Sequence, residues 1–98
     1  LYTDISKNIK KLNLEFDLKA NKAENFVISF EDYTGKKVSY QINKNDIRKD
    51  NKWNQVQIPL YRFPIRKSNV DLSKIKQIHF AFNYNTEVSI DNIKLTKN

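Results

Sequence analysis

The chain has 98 residues, 39% hydrophobic and 12% aromatic, which is enough apolar material for one folded domain with a modest core and excludes an intrinsically disordered segment. It contains no cysteine, which excludes disulfides and thiolate chemistry, and no run approaches the roughly 20 consecutive apolar residues of a bilayer-spanning helix. Eighteen Lys and Arg against 11 Asp and Glu give a net charge of +7, open to two readings: attraction to a polyanion, or a solvated lysine-rich surface.

Residues 1–11 are polar with scattered Leu, Ile and Tyr. Then Leu12, Leu14, Phe16 and Leu18 alternate with Asn13, Glu15, Asp17 and Lys19, which predicts a strand with one apolar face. A polar loop over residues 21–25 precedes a second strand, where Phe26, Ile28 and Phe30 alternate with Val27, Ser29 and Glu31. Asp32-Tyr33-Thr34-Gly35 is a turn that holds the chain's single glycine, expected where φ must be positive. Val38, Tyr40 and Ile42 mark a third strand, so residues 26–42 read as a hairpin.

A polar connection over residues 43–52 contains one candidate helical turn around Ile47. Trp53, Val56, Ile58 and Leu60 mark a fourth strand, and Pro59 near its end places it at a sheet edge or exit. Residues 64–70 cross over. The closing stretch reads as a hairpin: one strand with Ile78, Phe80, Phe82 and Tyr84 on its apolar face, then one with Val88, Ile90, Ile93 and Leu95. Six short strands with no convincing helix indicate an all-β fold, an antiparallel β-sandwich. Residues 4–16 and 71–82 echo each other as a turn that leads into a strand.

With the apolar registers turned inward, the residues left outside are Asn13, Glu15, Asp17, Ser29, Glu31, Ser39, Gln41, Gln55, Gln57, Gln77, His79 and Asn83. The set is rich in amides and carboxylates and poor in Lys and Arg. Sugar hydroxyls both donate and accept, so such groups suit a glycan; a plain wet sheet face is the other reading. Glu15, Asp17, Glu31, Gln41, Gln57, Gln77 and His79 are the candidate ligand-binding residues on that face, with Tyr33, Tyr61 and Tyr84 as rings at loops or strand ends that would rim it. The lone His79 cannot build a metal site or a triad by itself. Glu15, Asp17 and Glu31 are the carboxylates that could approach one another across strands for glycoside hydrolysis, but the chain is short for an active-site cleft and the reading is non-catalytic. The aromatics mostly face inward, which argues against nucleic acid.

The stretches KLNLEFDLKA, NFVISFEDYTGKKVSY, NKWNQVQIPLYRF, DLSKIKQIHFAF and VSIDNIKL resemble, in that order, the galactose-binding-like β-jelly-roll carbohydrate-binding modules appended to bacterial glycoside hydrolases, of the family-eleven and family-four types. The resemblance covers residues 4–96. It implies a jelly-roll sandwich, a sugar-binding cleft on a concave sheet and a structural calcium ion; such modules usually begin with one or two further strands upstream, which this sequence lacks. Asp91 matches the late calcium ligand; the early ligand has no clear counterpart. Trp53 is the obvious candidate for an aromatic platform under a sugar ring, but its position resembles a packing tryptophan of the family, which is expected in the core or at an edge. It further implies a domain taken from a longer secreted or cell-surface bacterial protein, with a polysaccharide or oligosaccharide (neutral or acidic) and a covalently linked catalytic or surface domain as partners. A structural or protein-interaction spacer is the alternative.

Overall fold

The structure, a computed structural model, describes residues 11–97. The alternation in residues 12–20 produces the longest of the early strands, β1 (Leu12–Lys22), which lies in the middle of a three-stranded antiparallel sheet. On one side it pairs with β4 (Trp53–Pro59) and on the other with β6 (Glu87–Lys97). A second antiparallel sheet places β2 (Phe26–Asp32) between β3 (Lys37–Ile42) and β5 (Ile75–Ala81). The two sheets face each other as an antiparallel β-sandwich.

Each central strand points every second side chain into the space between the sheets. Leu14, Phe16, Leu18 and Ala20 meet Phe26, Ile28 and Phe30, all buried. Phe16 and Phe80, one from each sheet, pack edge to face with centroids 5.4 Å apart. Burial of each large side chain is worth about 1.5–3 kcal/mol, so this layer is the main favourable term in folding.

Short turns plug the ends. Asn43 caps a 3₁₀ turn over Lys44–Asp46, its side chain accepting from the Asn45 N–H at 3.1 Å, and buried Ile47 follows. This is the helical turn expected around Ile47. A second 3₁₀ turn, Leu60–Arg62, and a one-turn helix α1 (Ile65–Ser68) form the crossover to β5 and bury Leu60, Phe63 and Val70. Leu60 therefore belongs to the core, as its apolar character requires, but from this turn and not from β4.

Asp32, 1% exposed at the end of β2, ties the crossover to the β2–β3 hairpin. Its Oδ1 accepts from the Thr34 N–H (2.8 Å), the Thr34 hydroxyl (2.7 Å) and the Lys36 N–H (3.0 Å), and its Oδ2 from the Asp71 N–H (2.7 Å). These donors, that of Asp71 foremost, hold its carboxyl down at about 2.

The closing stretch is not a hairpin. Strand β5 pairs with β2 and β6 pairs with β1, so residues 82–86 pass from one sheet to the other. Both strands carry an apolar stripe, and each reaches the core by extending a different sheet. Strand β5 also stops at Ala81, which leaves Asn83 and Tyr84 in the connection, Tyr84 95% exposed and off the apolar face.

A second difference lies in β6. Between Glu15 and Asp17 the pairing jumps from Lys94 to Asp91, a β-bulge, with Asn92 at φ +53°. The bulge absorbs the odd spacing between Ile90 and Leu95, keeps both packed against the core, and leaves Ile93 48% exposed. Gly35 has φ +89° as expected of its turn, but Asn51, Asn69 and Asn92 also adopt left-handed backbone. Asparagine tolerates that region by bonding locally, and here it supplies what glycine does elsewhere. The turn half of the internal echo, residues 4–10, lies outside the described residues; its strand halves occupy a central strand of one sheet and an edge strand of the other.

Candidate functional site

Because a sandwich has two outward faces, the polar residues of the strands divide between them. On the first sheet the cross-strand register builds a grid. Trp53, Lys19 and Ser89 form one row across β4, β1 and β6, Gln55, Asp17 and Asp91 the next, and Gln57, Glu15 and Lys94 the third. Glu15 organises the middle. It accepts from Gln55 Nε2 at 3.0 Å, from Gln57 Nε2 at 3.4 Å and from the Thr96 hydroxyl. Asp17 accepts from Asn92 Nδ2 at 2.7 Å, which the left-handed bulge residue turns toward it. Glu15, Asp17, Gln55, Asn92, Ile93 and Lys94 line a depression of about 310 Å³ on this face.

Trp53 stands at one end of the grid and is 51% exposed. The expectation that it packs in the core or at an edge is corrected: it sits on an edge strand, but its ring faces outward. The signal was present in the sequence. Trp53 has the parity of Gln55 and Gln57, whereas the core-facing residues of β4 are Val56 and Ile58, so alternation alone puts the indole on the polar side.

Glu31, Gln41, Gln77 and His79 lie on the outward face of the second sheet, on the far side of the sandwich from Glu15, Asp17 and Gln57. The single polar face expected from the sequence is thus two. On the second, His79 Nε2 and Glu31 Oε1 are 2.6 Å apart, and Gln77 Nε2 donates to the same oxygen at 3.3 Å. The hydrogen bond from His79 is the main cause that lowers the Glu31 carboxyl below its ordinary value. Ser29 and Ser39 share a 2.7 Å hydrogen bond beside them. Glu31 therefore cannot join Glu15 and Asp17 in one site, and the three-carboxylate grouping is corrected by the topology.

The three tyrosines do not converge either. Tyr33 (47% exposed) is in the β2–β3 turn, Tyr61 (60%) in the Leu60–Arg62 turn and Tyr84 in the β5–β6 connection. Tyr61 follows β4 and Trp53 opens it, so the two rings lie at opposite ends of a strand that spans roughly 20 Å.

Asp91 lies opposite Asp17 across the β1–β6 pair and accepts from the Asn92 N–H at 2.8 Å. Calcium takes six to eight oxygen ligands. Among the described residues no group of three or more His, Asp or Glu side chains that could hold a metal ion comes together at Asp91 or elsewhere.

Comparison with protein families matched residues 2–97 to carbohydrate binding domain 30. Among solved structures, the chain is similar to the family 30 carbohydrate-binding module of the cellulosomal cellulase Cel9D-Cel44B of Clostridium thermocellum, with 28% identity, a TM-score of 0.81, 98% of this chain covered and 61% of that one. A second family 30 module structure gives 28% identity, a TM-score of 0.79, and coverage of 99% and 61%. The chain thus spans about three fifths of the length of these relatives. A comparison with curated protein sequences found no match. The resemblance to a β-sandwich carbohydrate-binding module stands, with family 30 in place of the family-eleven and family-four types. Since the family match takes in nearly the whole chain, the protein belongs to carbohydrate-binding family 30, a family of non-catalytic binding domains.

Proposed function

We propose that the chain binds a neutral polysaccharide along the outward face of the β4–β1–β6 sheet and carries out no chemistry on it. The observation behind this reading is the exposed ring of Trp53 at the end of a grid of preset amides and carboxylates. The C–H face of a pyranose packs on an indole, while Gln55, Gln57 and Asp17 meet the hydroxyls of the following sugars. Glu15 fixes the two glutamines before any ligand arrives, so little side-chain entropy is lost on binding. The three central rows carry three carboxylates (Glu15, Asp17, Asp91) and two lysines (Lys19, Lys94) in a chain of net charge +7, so this face is not where a polyanion would settle. Glu31, Gln41, Gln77 and His79 are left out of this site.

Affinity of such an open face is expected at roughly µM to mM. A bound module raises the effective concentration of whatever is joined to it. We place the chain outside a bacterial cell, linked to a glycoside hydrolase or a surface protein, because the similar module of known structure comes from a cellulosomal cellulase. Affinity gel electrophoresis against a panel of neutral and carboxylated glycans tests the reading. Retardation by at least one neutral β-glucan is expected, and migration unchanged by every neutral glycan would overturn it.

A further inference from the structure

Positive charge without a partner collects at the other end of β4. In the crossover to β5, Tyr61, Pro64, Ile65 and Leu72 line an open groove of about 440 Å³, and its charged lining residues are Arg66 and Lys67. Both are exposed, and among the described residues neither forms an ion pair. The Asp71 carboxylate, beside the groove residue Leu72, makes no ion pair with either of them and instead accepts from the N–H and hydroxyl of Ser73 at 3.0 and 2.6 Å. Arg62, next to Tyr61, is exposed as well, and the neighbouring Tyr40 and then Tyr61 raise its guanidinium above the ordinary value.

The groove therefore offers an exposed aromatic face, apolar flanks and two free cations. The Trp53 face offers an aromatic ring among carboxylates. We propose that the Tyr61–Arg66–Lys67 groove is a second glycan site, selective for polysaccharides that carry carboxylates, such as chains of uronic acid. The proposal rests on the carbohydrate-binding reading but uses different residues and a different ligand class. The pyranose ring packs on Tyr61, and its carboxylate takes charge-assisted hydrogen bonds from Arg66 and Lys67. An acidic protein segment matches the charge, but the groove is open and lacks the deep pocket that anchors a peptide side chain, so a flat sugar fits it better.

The experiment is affinity gel electrophoresis of the whole chain with polygalacturonate and, separately, a neutral β-glucan. Native protein should be retarded by polygalacturonate at low salt and released at about 0.5 M NaCl, where the screening length falls to a few ångströms. R66Q/K67Q should weaken that retardation roughly tenfold or more, and Tyr61→Ala should weaken it while Tyr61→Phe should not. K36Q/K37Q, with the same change in net charge at another place, should leave it near native. Trp53→Ala should spare polygalacturonate and affect only the neutral glucan, which separates a failure of this proposal from a failure of the neutral-glycan reading. Native-like retardation of R66Q/K67Q, or an equal loss in K36Q/K37Q, would overturn the site. Poly-glutamate bound with the same dependence on Tyr61 would also overturn it, by assigning the groove to an acidic protein segment.

Discussion

Gln55 donates to Glu15 across β4 and β1 at 3.0 Å, and Gln57, one row on, donates to the other oxygen of the same carboxylate. One side chain on the central strand thus orients two on the edge strand. Glu15→Ala frees both amides and the Thr96 hydroxyl at an outward, partly exposed position. Loss of about one hydrogen bond's worth of pre-organisation corresponds to a roughly fivefold to tenfold weaker Kd for a neutral glycan, with little change in Tm. Calorimetric titration together with a thermal melt checks both halves.

The opposite face supplies a negative control. Glu31 owes its lowered pKa chiefly to the hydrogen bond from His79, then to that from Gln77. His79→Gln should move the Glu31 titration upward toward its ordinary value, as read by carboxyl NMR shifts against pH. The same variant should bind a neutral glycan as the native chain does. Weakened glycan binding in His79→Gln would place the ligand on the wrong side of the sandwich for our account.

Asp32 couples folding to acid. Its carboxyl is held at about 2 in the folded chain against an ordinary aspartate value of 3.8, so the contribution it makes is fully present above about pH 4 and is lost as pH falls through 2. Asp32→Asn should lower Tm at neutral pH by roughly 4–8 °C, and the gap to the native chain should close as pH falls from about 4 to 2. Melts across that window check the sign; a gap that stays constant to pH 2 contradicts it.

The bulge in β6 sets a conformational requirement. Asn92 has φ +53° and bonds Asp17, so Asn92→Val should cost roughly 1–2 kcal/mol in denaturant-measured stability, whereas Asn92→Gly should stay close to native.

The sandwich was legible because alternation is a local signal. Strands β1 to β4 followed directly from the parity of residues such as Leu14, Phe16, Ile28 and Ile58. Pairing was less legible: the apolar stripes of β5 and β6 are the same whether the strands lie side by side or in opposite sheets, and only the closed packing of Phe16 against Phe80 decides. The same ambiguity hid the site. Period-two alternation says that Glu15 and Glu31 both point outward but not that they point in opposite directions. Trp53 was recoverable from parity alone, and the odd interval between Ile90 and Ile93 already marked the bulge that brings Asn92 to Asp17.

The most direct test of the central claim is the binding of Trp53→Ala to a neutral β-glucan that retards the native chain. The ring is half exposed and faces away from the core, so the variant should melt within a few degrees of the native protein. The account predicts at least a tenfold rise in Kd by calorimetric titration, equivalent to about 1.4 kcal/mol. A folded Trp53→Ala protein that binds the glucan with native Kd would contradict it.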